Sequence, residues 1–305
     1  MNESTFSAEG REEMLKKQQQ RARHRNLLLC ILAVLVVAGG IGVGTRLFSS
    51  EPEVATSAEP TTPPKPTPAI PPASEENDLL KIATTAEGSE EKICYLTFDD
   101  GPTKEVTPAV LDALKAENVP ATFFMLGRMI EKNPDIAKRV YEEGHLLANH
   151  TYSHQYGELY ASGESFLNEV EKTTGLIREI TGEEPFKLIR FPGGGHNAGT
   201  YGAQKQQYKL LLQENGYYFA DWNSLNGDAE GQNRSAGELL ARIKETSGVK
   251  NIVVLMHDAA TKKSTPEALP AIIQYLREKG YTFKRLDEVP YYTEDNPPPE
   301  PDMIL

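Results

Sequence analysis

The chain predicts an α/β fold: a parallel sheet whose strands alternate with helices across residues 91–292, preceded by one transmembrane helix. Three observations carry that expectation. Short apolar runs alternate with amphipathic helical stretches through residues 91–292, the pattern of repeated strand–helix units, which close either as a barrel or as a doubly wound sheet. Polar side chains capable of chemistry collect at or just past the ends of the predicted strands. Ahead of this region, residues 27–45 form an apolar run without a charge.

Residues 1–26 are polar and end in the basic cluster Lys16, Lys17, Arg21, Arg23 and Arg25. The uncharged run at 27–45 has the length of a bilayer-spanning helix, about 17–25 residues. Basic residues before it and Glu51 and Glu53 after it put the N-terminus in the cytoplasm and the rest outside, so the expected location is the cell membrane with an extracellular domain. The polar region is long for a signal peptide, which favours an uncleaved anchor over cleavage near Gly42, Val43 and Gly44. Residues 46–90 are rich in Pro, Thr, Ala, Ser and Glu and predict an extended spacer, because such a composition has little apolar surface to offset the entropy of ordering. Residues 293–305, with Pro297, Pro298 and Pro299, are expected to be a disordered tail.

A net charge of −12 argues against a nucleic-acid partner, which needs a basic patch to displace counterions. The two cysteines, Cys30 in the apolar span and Cys94 in a strand, make no disulfide framework.

Within 91–292 the first strand takes Ile93 to Leu96 and stops at the turn Asp99, Asp100, Gly101, Pro102. Pro108 opens a helix carrying Val110, Leu111 and Leu114. Ala121–Leu126 is the second strand. Asn133 and Pro134 open a helix that Gly144 ends, and Leu146, Leu147 and Ala148 form a third strand leading to Asn149 and His150. A long helix ends near Gly182, and Leu188–Phe191 is a short strand before Gly193, Gly194 and Gly195. A helix ending at Gly216 delivers the strand Tyr217–Asp221. Ser235–Ser247 is helical, Ile252–Met256 is an apolar strand ending in His257 and Asp258, and Thr265 and Pro266 start a last helix that runs to Gly280.

Asp99 and Asp100, His150, Arg190, Asp221 or Asp228, and His257 all follow predicted strands, the end of a barrel where sites are built. Adjacent carboxylates raise each other's pKa unless a cation compensates, although Asp-Gly-Pro is also ordinary turn chemistry. The four-residue spacing of His150 and His154 puts both imidazoles on one side of a helical turn, and with Asp100 they form a two-histidine, one-carboxylate set suited to zinc or another divalent first-row metal. His24, His145 and His196 read as structural, and Tyr281, Tyr291 and Tyr292 as packing or surface groups. The glycine run lacks the strand-to-helix phosphate fingerprint, so no nucleotide is expected.

Five ordered stretches together resemble the motifs of the polysaccharide deacetylases, carbohydrate esterase family four: Thr97–Pro102, His150 with His154, Arg190 with Phe191 and Pro192, Trp222–Asp228, and Leu255, Met256, His257. The resemblance implies a distorted (β/α) barrel and metal-dependent removal of acetyl groups from sugars. It implies Asp99 as general base, Asp100, His150 and His154 as ligands of one divalent ion, most simply Zn2+, and Arg190 as support for Asp99. His257 would be the general acid and Leu255 would line the acetyl pocket. The chain departs from the pattern twice. In the fourth motif, aligning Trp222 and Asn223 selects Asp228 over Asp221 and leaves Ala229 where relatives place a tryptophan. Gly193 stands where many members carry tyrosine, so the oxyanion donor would be its backbone N–H and the substrate contacts would differ. The expected activity is removal of N-acetyl groups from a cell-wall glycan, peptidoglycan N-acetylglucosamine first. Other acetylated glycans or a non-catalytic wall-binding protein are the alternatives.

Overall fold

The computed structural model describes residues 77–85, 91–196, 199–231 and 233–289. The expected cytoplasmic segment 1–26, membrane span 27–45 and tail 293–305 lie outside the described residues, as do Cys30, His24, Tyr291 and Tyr292. Among the described residues no helix is long and apolar enough to cross a membrane.

Eight strands form one parallel sheet: β1 Lys92–Asp99, β2 Thr122–Met125, β3 Leu146–Asn149, β4 Leu188–Ile189, β5 Tyr218–Phe219, β6 Ser224–Leu225, β7 Asn251–His257 and β8 Tyr281–Phe283. The hydrogen-bonded order is β5-β4-β3-β2-β1-β7-β6, and β8 also pairs with β1. One edge of β1 takes β7 along its length, while the other is shared between β8 near Lys92–Cys94 and β2 near Thr97–Asp99. The sheet curls strongly. The Arg190 guanidinium touches Asp99 at the end of β1 and also the Ala220 carbonyl after β5, four places away in the strand order; a flat sheet would separate those strands by about 19 Å. Among the described residues β5 and β6 do not pair with each other. The expected barrel is therefore a curled, incompletely closed half-barrel.

Period-2 alternation sorts each strand between two layers. Cys94, Leu96 and Phe98 join Phe123, Met125, Ile252, Val254 and Met256 in an outer core. Against it pack the apolar faces of α2 (Val106–Glu117), α8 (Ala236–Thr246) and α9 (Ser264–Glu278). Ile93 and Tyr95 point the other way, into an inner cluster with Phe124, Ala148, Leu188, Tyr218 and Val253. Both faces are thus buried, which is why these strands read as continuous apolar runs. Truncating an outer-core side chain such as Leu111 or Ile272 to alanine costs about 2–5 kcal/mol. Thr97 and Asp99 continue the inner face of β1 toward its C-terminal end, which places the polar chemistry above an apolar floor.

Helix α1, Leu79–Thr85, lies within the stretch read as extended spacer. Leu79 and Ala83 are buried in the inner cluster, and the Ala83 carbonyl accepts from Asn251 Nδ2 at 2.7 Å. The run Leu79, Leu80, Ile82, Ala83 supplies the apolar surface that the proline-rich residues before it lack. Connecting helices α3 (Gly127–Lys132) and α5 (Tyr156–Leu159), and strands β6 and β8, carry too few residues to show a period and are absent from the sequence reading. The longer helices α4 (Pro134–Glu142), α6 (Gly163–Thr181) and α7 (Gly202–Glu214) fall where expected. Local chemistry sets several ends: Ser235 and Glu238 form a capping box before α8, and Gly182 ends α6 in the left-handed conformation.

Candidate active site

The site begins with two adjacent aspartates that part company. Asp99 is the last residue of β1 and stays on the buried inner face. Asp100 adopts φ +79°, a left-handed conformation that only residues with short polar side chains tolerate readily apart from glycine. That turn swings its carboxylate away from Asp99 and toward the loop after β3. There Asp100 Oδ1 lies 3.7 Å from His150 Nε2 and 3.6 Å from His154 Nε2.

The two histidines do not share a helical turn, as their spacing suggests. Residues 150–155 form a loop in which Thr151 and His154 have positive φ, and the imidazole centroids lie 5.2 Å apart. Glu169 of α6 holds this loop, accepting from Tyr152 N at 3.2 Å, Ser153 N at 3.0 Å and Ser153 Oγ at 2.6 Å. Asn149 Oδ1 takes the Thr151 N–H. Left-handed residues in a short loop reach the geometry that helix spacing was expected to supply.

Asp100, His150 and His154 each offer one donor atom, all within 4.8 Å of one another. Tetrahedral bonds of about 2.1 Å place ligand atoms about 3.4 Å apart, so small side-chain adjustments fit a single ion. His150 Nδ1 lies 2.9 Å from the Arg190 carbonyl, which takes its N–H and leaves Nε2 as a lone-pair donor facing Asp100. Burial lowers the His150 pKa to about 3 despite the opposing charge of Asp100, keeping the ring neutral as a ligand must be.

Arg190 is fully buried directly after β4. Its Nη1 donates to Asp99 Oδ1 at 2.9 Å and Thr97 Oγ1 at 2.7 Å, and Nε donates to the Ala220 carbonyl at 2.9 Å. The guanidinium lies over the Phe124 ring at 4.1 Å. Burial raises the Asp99 pKa, and the charges of Arg190 and His257 work against that rise. Arg190 thus fixes one carboxylate oxygen and leaves Oδ2 facing His150, 3.9 Å from its Nε2.

His257 ends β7 in register with Asp99 on β1. Asp228 grips it twice: Oδ1 lies 2.7 Å from the ring Nδ1, and Oδ2 accepts the His257 backbone N–H at 2.8 Å and the Thr265 hydroxyl at 2.8 Å. Burial alone would lower the His257 pKa, but the hydrogen bond and charge of Asp228 carry it up to about 9, so the ring is protonated at neutral pH. Asp228, not Asp221, contacts His257. Asp221 accepts the Gly195 N–H at 2.7 Å and lies 3.7 Å from His196 Nδ1.

Leu255 lies on the same strand face as His257, paired with Thr97. Gly193, exposed at φ +72°, follows β4. His145 is structural, its Nδ1 accepting from Ala121 N, and Tyr281 is buried packing. Three further residues of the site carry no assignment in the sequence reading: Glu169, Tyr156 and Asp258. Asp258 N donates to the Asp99 carbonyl at 3.0 Å, and its side chain fills the space beside Gly101, where a Cβ would fall 2.0 Å from Oδ2. Its signal in the sequence was its place next to His257.

The polysaccharide deacetylase family profile matches residues 86–211. A peptidoglycan N-acetylglucosamine deacetylase of Bacillus cereus is 31% identical over 276 residues, spanning 86% of this chain and 93% of that protein. The chain belongs to the polysaccharide deacetylase family. The catalytic domain of a peptidoglycan N-acetylglucosamine deacetylase from Eubacterium rectale superposes with TM-score 0.61 at 31% identity, covering 68% of this chain and 95% of that one. A pseudoenzyme of carbohydrate esterase family four from Bacillus anthracis superposes with TM-score 0.56 at 25% identity, covering 66% of each chain. Polysaccharide deacetylases thus include members without turnover, and activity has to be argued from the residues themselves.

Proposed function

We propose that this chain is a metal-dependent hydrolase that removes N-acetyl groups from a cell-wall glycan, peptidoglycan N-acetylglucosamine being its substrate. The observation that carries the reading is a carboxylate and an imidazole brought together at the ends of adjacent strands: Asp99, held at one oxygen by Arg190, and His257, kept protonated by Asp228, beside a three-residue metal-ligand set. A binding protein has no use for a base and an acid together.

Asp100, His150 and His154 would hold a divalent ion, which would supply Lewis acidity to the acetamido carbonyl and acidify water. Asp99 Oδ2 accepts a proton from the water that adds to the acetyl carbon. Arg190 holds Oδ1, so the carboxylate does not rotate as its charge changes. His257 gives its ring proton to the sugar nitrogen as the C–N bond breaks, and Asp228 steadies the ring before and after. The products are acetate and a free amino sugar. The Gly193 backbone N–H would donate to the oxyanion, and Leu255 would border the acetyl group.

The glycan assignment rests on the named relatives and on the topology proposed from residues 1–53, in which a membrane anchor holds the domain outside the cell. Protease added to intact, wall-stripped cells should release the domain, and complete protection would refute that topology. The decisive assay is acetate release by the purified full chain from peptidoglycan and from chitin oligosaccharides, before and after chelation and zinc restoration. Acetate that disappears with chelator and returns with zinc is expected, with peptidoglycan preferred. Preference for chitin would redirect the substrate, and no acetate at all would leave a wall-binding protein.

A further inference from the structure

We propose that Tyr156 is a sugar-binding residue of this site, its hydroxyl standing in the space beside Gly193 that a side chain on residue 193 would need. The inference rests on the glycan reading above and names a contact that reading does not supply.

Tyr156 opens α5, two residues past His154. Its ring meets the His154 imidazole edge-on, with centroids 5.4 Å apart at 88°. Tyr160 packs against it at 5.8 Å and Tyr201 at 6.1 Å, the latter within 26° of parallel. Three aromatic neighbours therefore fix the ring beside the metal-ligand set. A Cβ built on Gly193 would fall 2.7 Å from Tyr156 Oη and 3.5 Å from two ring carbons, so the absent side chain at 193 and the hydroxyl at 156 are two halves of one arrangement.

The hydroxyl is also uncommitted among the described residues. Tyr160 donates to the Pro192 carbonyl, Tyr217 to Glu171, Tyr152 to Glu131 and Tyr281 to the Ser247 carbonyl. Tyr156 Oη has no hydrogen-bond partner among the described residues, and the side chain is 38% exposed. An aromatic ring held rigid, exposed and tipped by a hydroxyl without a partner among the described residues suits a pyranose, whose C–H face packs on the ring while its hydroxyls exchange hydrogen bonds with the phenol. Rigidity keeps the entropic cost of that contact low.

The probe is tetra-N-acetylchitotetraose, its binding to the zinc-loaded full chain measured by calorimetry and its deacetylation by acetate release. Tyr156→Phe keeps the ring and loses one neutral hydrogen bond, so affinity should fall and KM rise by about three- to tenfold. The kcat should stay within about twofold, the signature of a contact made equally before and during the reaction. Unchanged affinity and KM would overturn the proposal, as would a fall in kcat at constant KM. Wild-type protein that binds the tetrasaccharide through Tyr156 but releases acetate neither from it nor from peptidoglycan would refute the deacetylase reading and uphold this one; no binding of the tetrasaccharide and no acetate from either glycan would refute both. A melting cycle checks the juxtaposition itself. Gly193→Ala strains φ in either background, but its cost should shrink when Tyr156→Phe removes the hydroxyl it meets. Equal costs in both backgrounds would place the hydroxyl elsewhere.

Discussion

Removing the Arg190 guanidinium tests the electrostatic logic of the site. Arg190→Met fills much of the same volume and leaves the Asp99 carboxylate buried without its cation. Taking one partner from a buried ion pair costs about 3–5 kcal/mol, and here Thr97 Oγ1 and the Ala220 carbonyl also lose a donor. With a urea dependence of about 2–3 kcal/mol/M, the unfolding midpoint of zinc-free protein should fall by about 1–2 M at pH 7.5. The penalty should depend on pH. Asp99 already has a raised pKa from burial, and Arg190 opposes that rise; without Arg190 the pKa rises further. A carboxylate whose folded pKa is raised favours the fold at low pH and loses that contribution as pH rises through the folded value. The cost of Arg190→Met should therefore be smaller at pH 5 than at pH 7.5, because lower pH favours the protonated carboxyl. Asp99→Asn in the same background should recover most of the loss at pH 7.5. An equal penalty at both pH values, undiminished by Asp99→Asn, would refute the reasoning and leave Arg190 as a tie between strand ends.

The remaining predictions address the metal set, the acid and the buried carboxylate beneath the Asp99 turn. Zinc at about 100 times its Kd should stabilise the wild type by about 2.7 kcal/mol; Asp99→Asn should keep that thermal shift and lose turnover, whereas His154→Ala should lose both. The His257 ring, followed by its NMR titration in zinc-free protein, should lose its proton near pH 9, with stability it contributes below about 6.5 disappearing through that value. Asp228→Asn should bring this titration down to the ordinary histidine range or lower, because burial then acts with less opposition, and an unmoved titration would exclude Asp228 as the cause. Asp258 is raised to about 7, chiefly by burial, so it should subtract stability as pH rises from about 4 through 7. Asp258→Asn should then be more favourable, relative to wild type, at pH 8 than at pH 5; a pH-independent difference would show that its charge state does not matter.

Much of the fold was legible because burial on both faces writes a strand as a run of apolar residues. Ile252–Met256 and the strand before Asp99 needed no partner to be recognised, and Ser235, Gly182 and Pro134 marked helix ends through local backbone chemistry. The short helices α3 and α5 escaped because four to six residues cannot show a period, and β6, Ser224–Leu225, because it sits between Asn223 and Asn226 without the flanking apolar run that marks the equally short β4 and β5. Helix α1 was overlooked for a different reason: the composition of the stretch before it masked one apolar turn whose burial depends on the inner core.

For the site, the sequence by itself determined which residue types stand at strand ends, and a parallel sheet brings all those ends to one side. Register and curl were decided only in three dimensions. The approach of Arg190 to Asp99 depends on a sheet bent enough to bring β1 and β5 around one guanidinium. The resemblance selects Asp228, but its double grip on His257 comes from the register of β7, and two loop residues of positive φ rather than a helical turn aim His150 and His154. Tyr156 reaches Gly193, 37 positions further along the chain, a separation that no spacing rule links and close to the 40 that separate His150 from Arg190. Local propensity and burial act along the chain and can be read there. Contacts between elements depend on how the sheet twists and where loops turn, and only the folded chain settles those.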